Sequence, residues 1–222
     1  MKYTTVIFDM DGTIIESNAT WNTVTEQFLI AYGIHLEPAA LKTIFHEQQG
    51  LSIPDSCRLL KKQFNLPGTY EALIEHQETL AQHIKKTPFS FISGFEQFHK
   101  KITDRKLQSG LATNAPLSLL SHIADLLDLS RFFGSHMYCI NHVNNMGKPH
   151  PAIYLHAAEK LNAHPKQCIA IEDSAHGIWA AKNAGIFCIG INTPEYAARI
   201  SHADMVVTSY NDIDLDAILQ SV

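Results

Sequence analysis

The sequence lacks long basic runs, long apolar runs and closely paired cysteines. Its 17 Lys and Arg against 22 Asp and Glu give a net charge of −5, which argues against nucleic acid or an anionic membrane surface as a partner. No apolar stretch approaches the roughly 18 residues that a membrane-spanning helix needs. The opening MKYTTVIFDMDG reaches charged side chains too early for a signal peptide.

The few cysteines show no metal-binding pattern. Cys57, Cys139, Cys168 and Cys188 form no CxxC pair and have no histidines at zinc-site spacing. Cys168 and Cys188 lie in apolar runs, where a buried thiol is the ordinary role. We therefore expect a soluble, cytoplasmic protein with reduced thiols, and neither a nucleic acid polymer nor a membrane as its partner. The sequence indicates nothing about the oligomeric state.

Short apolar runs alternate with helical patterns over most of the chain. Six runs are nearly continuous in apolar residues, which is typical of strands in a parallel sheet covered on both faces. They are 3–9, 106–114, 136–140, 167–173, 186–192 and 204–209. Helical patterns occupy 94–105, 116–128, 150–162, 174–184, 194–200 and 211–221. This alternation predicts an α/β fold built on a doubly wound parallel sheet.

The stretch 16–88 interrupts the alternation. It contains no convincing strand, and prolines separate its helical patterns, which are 20–32, 38–48, 55–64 and 70–85. We predict an all-helical insertion directly after the first strand. The predicted domains are a core formed by 1–15 and 89–222 and an inserted cap at 16–88.

Polar residues follow four of the predicted strands. Because ligands of open parallel sheets bind at the carboxyl ends of the strands, these residues should meet at one edge. They are Asp9 and Asp11 after the first strand, Thr113 and Asn114 at the end of the second, Lys148 in the loop after the third, and Glu172 and Asp173 at the end of the fourth. Gly12 would let the backbone approach a phosphate closely.

Four carboxylates in one place repel one another, so a proton or a cation must lie among them. Carboxylate oxygens without Cys or His suit Mg²⁺, which usually takes one or two protein carboxylates and shares a substrate phosphate oxygen. Lys148 adds a positive charge, and Thr113 and Asn114 can hydrogen-bond phosphoryl oxygens. This set of groups predicts phosphoryl transfer, in which positioning and charge neutralisation do most of the catalysis.

Four segments resemble, in order, the motifs of the haloacid dehalogenase-like hydrolase superfamily. They are DMDGT, LATNA, GKPHPAIY and IEDSAHGIWAAKNAG, and the resemblance extends over about 9–190, nearly the whole core. The helical insertion resembles the small cap of the β-phosphoglucomutase and phosphoglycolate phosphatase branch.

The resemblance implies a catalytic role for three residues. Asp9 would be the nucleophile that forms an aspartyl-phosphate, and Asp11 the general acid and base. Lys148 would offset the charge on Asp9 and on the phosphoryl oxygens. Thr113 would hold the phosphoryl group with Asn114 beside it, and Asn114 could also, or only, cap the helix that follows.

The resemblance also implies a Mg²⁺ site. Glu172 and Asp173 would hold the ion together with an Asp9 oxygen and the backbone carbonyl of Asp11. Glu172 could bind the metal directly or through a water molecule.

Three reactions or roles compete with a phosphatase. A dehalogenase of the superfamily does not need the carboxylate of Asp11, and a non-catalytic phosphate-binding module would be expected to have lost one of the motifs. The closer rival is a phosphomutase, which typically has a histidine where this chain has Trp21. The cap of such a mutase also has a segment similar to KGVSRxDS. The corresponding segment of this chain, QQGLSIPDS, has Gln49 and Ile53 at the positions of the Lys and the Arg. We therefore favour a phosphatase.

A cap that closes over the core implies a small phosphorylated metabolite, because a large one would prevent closure and water exclusion. A sugar phosphate, phosphoglycolate or a nucleotide monophosphate would fit. We expect Gln49 to contact the substrate, together with Gln48, His46 and residues around Trp21.

Overall fold

The core is a parallel sheet of six strands. The structure, a computed structural model, describes residues 3–82, 88–192 and 200–220. The strands are β1 (Thr5–Phe8), β2 (Gln108–Thr113), β3 (Met137–Cys139), β4 (Cys168–Glu172), β5 (Phe187–Ile191) and β6 (Met205–Val207). Their order across the sheet is β3, β2, β1, β4, β5, β6. Each strand falls within its predicted run, and the predicted fold class is confirmed.

Strand β1 lies in the middle of this sheet, with β2 on one side and β4 on the other. Its last residue, Phe8, pairs with Leu111 of β2 and Ile171 of β4, and every residue of β1 and β4 is buried. The chain therefore leaves β1, β2 and β4 at the same edge. The strand order reverses between β1 and β4, which is the place where doubly wound sheets bind ligands.

Four helices occupy the sequence between β1 and the rest of the core. They are α1 (Asn18–Ala31), α2 (Pro38–Gln48), α3 (Ile53–Phe64) and α4 (Tyr70–Ala81). The hydroxyls of Ser52 and Thr69 accept hydrogen bonds from the first turns of α3 and α4, so side-chain caps fix where these helices begin. The helical character predicted for the insertion is confirmed. The domain division at 16–88 stays a prediction.

The remaining helices cover both faces of the sheet. They are α5 (Phe95–Asp104), α6 (Leu117–Leu127), α7 (Ser130–Phe133), α8 (Ala152–Lys160), α9 (Ala175–Asn183) and α10 (Leu215–Gln220). Side chains alternate between faces along a strand. Phe8 joins an apolar cluster with α5, α6, α7 and α10, whereas Ile7 joins a second cluster with α8 and α9.

Two predicted helices differ from the structure or lie beyond it. The helix expected over 70–85 ends at Ala81, and residues 83–87 lie outside the described ranges. The helix expected at 194–200 falls almost wholly among residues that the structure does not describe. Within the described ranges, no helix is both long enough and apolar enough to cross a membrane.

Candidate active site

A buried lysine connects the ends of two strands. Lys148 is 1% exposed, and its Nζ donates hydrogen bonds to Asp9 Oδ1 at 2.5 Å, Glu172 Oε1 at 2.7 Å and the backbone carbonyl of Ala112 at 2.9 Å. Burial alone would lower the pKa of this ammonium, but the charges of Asp9 and Glu172 outweigh it and raise the pKa above its usual range. Lys148 is therefore a permanent positive charge between β1 and β4.

Three carboxylates share this buried space. Asp9, Glu172 and Asp173 place oxygens within 4.8 Å of one another. Burial raises the pKa of Asp9 well above its ordinary value, and burial together with the Glu172 charge raises the pKa of Asp173 to about 7. The carboxylates outnumber the one ammonium beside them, so a further cation would stabilise the ionised cluster. The atoms of this cluster that could bind a metal are all carboxylate oxygens, a set of ligands that fits Mg²⁺.

Glu172 and Asp173 differ in the protein groups that donate hydrogen bonds to their carboxylates. Oε1 of Glu172 accepts hydrogen bonds from Lys148 and, at 2.7 Å, from the Tyr154 hydroxyl, while Oε2 accepts one from Ser174 at 3.2 Å. A direct metal bond to Glu172 would compete with these protein donors. Asp173 accepts hydrogen bonds from neutral groups: the Gln49 amide on Oδ2 at 2.7 Å, the Asn18 side chain and, at a long 3.5 Å on Oδ1, the Thr13 hydroxyl. This difference favours Asp173 as the direct ligand and a water-mediated role for Glu172.

Asp11 is held by the segment that enters the insertion. Its Oδ1 accepts hydrogen bonds from the Ser17 hydroxyl at 2.7 Å and from the Trp21 indole Nε1 at 2.9 Å. Burial raises the pKa of Asp11, and these two donors act in the opposite direction. The sequence marked Trp21 as the replacement for a mutase histidine and its surroundings as substrate contacts, but nothing in its local pattern indicated that its indole binds Asp11.

Thr113 ends β2, Asn114 follows it, and both line the same cavity as Asp9. The Thr113 hydroxyl accepts a hydrogen bond from the Ala115 backbone at 3.0 Å. Asn114 accepts one from the Lys148 backbone at 3.0 Å and donates one to the Gly50 carbonyl at 2.8 Å.

The interpretation of Asn114 as a helix cap is wrong. The two hydrogen bonds of the Asn114 amide go to Gly50 and Lys148, and neither goes to the first turn of α6. The first turn of α6 is capped instead by Asn141, whose Oδ1 accepts a hydrogen bond from the Leu117 backbone at 2.7 Å. Phosphate binding by Thr113 and Asn114 stays a prediction.

Two glycines allow backbone and carboxylate to come close together. Gly12 has a φ of +78°, and a Cβ there would lie 2.1 Å from Asp173 Oδ2. On α9, a Cβ at Gly177 would lie 2.0 Å from the carboxylate atoms of Glu172. Gly12 thus admits a close approach, as expected from the sequence, but the group that approaches in the structure is Asp173. Contact of Gly12 with a phosphate stays a prediction.

The loop after α2 contacts the core directly. The Gln49 amide donates to Asp173 Oδ2 at 2.7 Å, and the Gln49 carbonyl lies 3.1 Å from Nδ1 of His176. Gly50, with a φ of +78°, passes so close to Ser174 that a Cβ would lie 2.2 Å from the hydroxyl oxygen. Gln49, which the sequence suggested as a substrate contact, therefore also reaches a predicted metal ligand.

A cavity of about 210 Å³ lies between this loop, α1 and the strand ends. Its wall includes Asp9, Asp11 and the predicted insertion residues His46, Gln48 and Gln49, together with Asn18, Trp21 and Asn22 from the stretch around Trp21. The sequence analysis missed other wall residues, including Lys42 and Phe45. The helical spacing of 42, 45, 46 and 49 could have indicated that α2 turns one face to the site.

Known proteins resemble this chain over nearly its whole length. The family model for haloacid dehalogenase-like hydrolase matches residues 3–185. Hexitol phosphatase B of Escherichia coli (strain K12) is 26% identical over 217 residues, which cover 96% of this chain and 95% of that protein. β-Phosphoglucomutase of Bacillus subtilis (strain 168) is 29% identical over 222 residues, covering 96% and 92%. A crystal structure of β-phosphoglucomutase from Clostridium difficile shares the fold, with a TM-score of 0.81, 22% identity and coverage of 98% and 96%.

The tight contact at Gly177 generates a prediction about stability. Replacing a helical glycine by alanine ordinarily stabilises a protein by about 0.5–1 kcal/mol. Gly177→Ala should instead lower the free energy of unfolding by about 1–3 kcal/mol, because the added methyl group would displace the Glu172 carboxylate. Urea denaturation followed by circular dichroism measures this difference. A stabilised Gly177→Ala protein would contradict the described packing of Glu172.

Proposed function

The chain belongs to the haloacid dehalogenase-like hydrolase family and is a phosphoric monoester hydrolase, and we propose that it is a Mg²⁺-dependent phosphatase that works through an aspartyl-phosphate on Asp9. The observation that carries this proposal is the placement of Asp9 and Asp11 in one cavity with Lys148 hydrogen-bonded to Asp9. The substrate would be a small phosphate monoester. The relatives include a protein named hexitol phosphatase, which supports a sugar phosphate or related metabolite.

Asp9 would supply the nucleophilic oxygen. In the first step a bond forms between an Asp9 carboxylate oxygen and phosphorus, and the bond from phosphorus to the leaving oxygen breaks. Burial raises the pKa of Asp9, and the Lys148 ammonium hydrogen-bonded to it acts in the opposite direction, toward the ionised form that attacks. Thr113, at the end of β2, would hold the transferring group by its hydroxyl.

Asp11 would move the proton in both steps. Its raised pKa favours the protonated form that the leaving oxygen needs as it departs. The resulting carboxylate then takes a proton from the water that attacks the aspartyl-phosphate and frees Asp9. The hydrogen bonds from Ser17 and Trp21 fix the direction in which the carboxyl group points.

The buried acidic cluster would hold the metal. Asp9, Asp173 and the Asp11 carbonyl are the proposed direct ligands, and Glu172 would act through a water molecule. A bound Mg²⁺ supplies positive charge that offsets the carboxylates and the phosphoryl oxygens.

The wall of the cavity favours water over a sugar hydroxyl as the acceptor. A mutase must keep its aspartyl-phosphate from water until the next substrate arrives. Trp21 binds Asp11 through an indole that cannot exchange a proton as a histidine would. Gln49 and Ile53 stand where the mutase pattern has cations, so neither position supplies a positive charge for a second phosphate. This supports the phosphatase over the mutase.

The state of the cysteine thiols supports a cytoplasmic location. All four cysteines are buried and free. Free thiols are usual in a reducing compartment, so we propose that the enzyme is cytoplasmic.

Substitutions at the two aspartates should separate their roles. Asp9→Asn should abolish hydrolysis and leave no phosphoryl adduct in intact-mass spectra. Asp11→Asn should slow hydrolysis about 10²–10⁴-fold. With p-nitrophenyl phosphate, whose leaving group needs no proton, Asp11→Asn should accumulate the adduct. The exposed Asp125→Asn is the matched control and should behave as wild type. An adduct on Asp9→Asn at the wild-type level would refute the nucleophile.

The choice between water and sugar is tested with β-glucose 1-phosphate and a trace of glucose 1,6-bisphosphate. We expect the enzyme to release inorganic phosphate and the bisphosphate not to stimulate turnover. The reason is that the wall has uncharged side chains at both positions where the mutase pattern has cations. Both products are followed with and without the bisphosphate. Formation of glucose 6-phosphate much faster than free phosphate would make the enzyme a mutase.

A further inference from the structure

The loop that follows α2 is held on the core through its backbone. The carbonyl of Gln49 accepts a hydrogen bond from Nδ1 of His176 at 3.1 Å, since a carbonyl can only accept. The next carbonyl, that of Gly50, accepts one from the Asn114 amide at 2.8 Å. His176 lies on α9 and Asn114 follows β2, so two separate parts of the core bind two consecutive peptide groups of the insertion.

A third contact leaves no room for a side chain at Gly50. Its φ is +78°, and a Cβ there would lie 2.2 Å from the hydroxyl oxygen of Ser174 and 2.7 Å from its Cβ. Gly33, also in the insertion, has a φ of +75°, but a Cβ there would meet nothing within 4 Å. Both positions favour glycine for their backbone conformation, and of the two only Gly50 must also be small where the insertion meets the core.

The same contacts continue to the groups of the candidate active site. Asn114 also accepts a hydrogen bond from the Lys148 backbone at 3.0 Å, which connects the Gly50 carbonyl to the loop that carries the lysine. The side chain of Gln49 reaches Asp173 Oδ2 at 2.7 Å. A displacement of this loop would therefore be felt at both residues.

We propose that these contacts form a latch that holds the insertion closed over the cavity, and that His176 is a positioning residue for the proposed reaction. The latch consists of the carbonyls of Gln49 and Gly50 and the side chains of Asn114, Ser174 and His176. It acts on Asp11 through the insertion: α1 packs against α2, and its Trp21 donates to Asp11 at 2.9 Å. The role in catalysis rests on the proposed function, whereas the latch itself does not.

The contact of His176 serves the meeting of core and insertion rather than its own helix. The start of α9 is capped by the Ser174 hydroxyl, which accepts a hydrogen bond from the Gly177 backbone at 3.0 Å. The imidazole of His176 is half-buried, and its hydrogen bond crosses to the insertion. Replacing His176 should therefore loosen the latch and leave the cap of α9 in place.

Hydrogen exchange of the Trp21 indole, followed by NMR, measures the opening of the insertion, because this proton is donated to Asp11 in the closed arrangement. The chain has two tryptophans, and the indole of the exposed Trp179 is the internal reference. His176→Leu should accelerate exchange of the Trp21 indole about 5- to 100-fold, as expected for one lost hydrogen bond. His176→Gln should restore most of the protection, because its amide can donate to the same carbonyl. His35→Leu, exposed between α1 and α2, should leave exchange unchanged.

The two glycines provide an independent comparison. Gly50→Ala should accelerate exchange of the Trp21 indole at least as strongly as His176→Leu, because the added methyl group has no room beside Ser174. Gly33→Ala should leave exchange unchanged. Circular dichroism checks that each variant is folded.

Kinetics with p-nitrophenyl phosphate and Mg²⁺ test the role in catalysis. His176→Leu should lower kcat about fivefold or more, because Asp11 loses the Trp21 contact when the insertion opens, and His176→Gln should restore it. If wild type releases no phosphate, the proposed function fails, and the exchange measurement still decides the latch. Unchanged exchange in His176→Leu or Gly50→Ala, no recovery in His176→Gln, or equal acceleration by Gly33→Ala would overturn the latch. Accelerated exchange with unchanged kcat would overturn the positioning role.

Discussion

The buried ion pairs of Lys148 with Asp9 and Glu172 fix the geometry of the candidate active site. They join the ends of β1 and β4 through a side chain from the loop after β3. Removing one partner of a buried pair typically costs about 3–5 kcal/mol, because a charge is left uncompensated. The surroundings satisfy the remaining polar groups: Tyr154 donates to Glu172, and Asn114 accepts from the Lys148 backbone. The same hydrogen bonds therefore pair the buried charges and hold the ends of β1 and β4 together.

The insertion completes what the sheet begins. Trp21 of α1 orients Asp11, and Gln49 of the loop after α2 contacts Asp173, so two site carboxylates of the core receive hydrogen bonds from the insertion. A shift of the insertion away from the sheet would break both contacts. The proposed acid and base therefore holds its described geometry only while the insertion covers the cavity.

The sheet and its functional edge could be predicted because both depend on local signals. Continuous apolar runs mark buried parallel strands, and polar residues directly after them, such as Asp9, must emerge at one edge. Contacts made by tertiary packing could not be predicted in this way. Asn114 has the local pattern of a helix cap, yet its amide binds Gly50 and Lys148 while Asn141, distant in sequence, caps α6. The pairing of Trp21 with Asp11 likewise depends on how α1 packs, which no local pattern encodes.

We expect the carboxylates around Lys148 to require a divalent cation. Calorimetric titration of the metal-free protein with Mg²⁺ measures this binding, with Asp173→Asn as the variant and Asp125→Asn as the control. We predict one Mg²⁺ bound per chain, at least about tenfold weaker binding by Asp173→Asn, and wild-type affinity for Asp125→Asn. Absence of Mg²⁺ binding by wild type, or equal affinity for wild type and Asp173→Asn, would contradict the account.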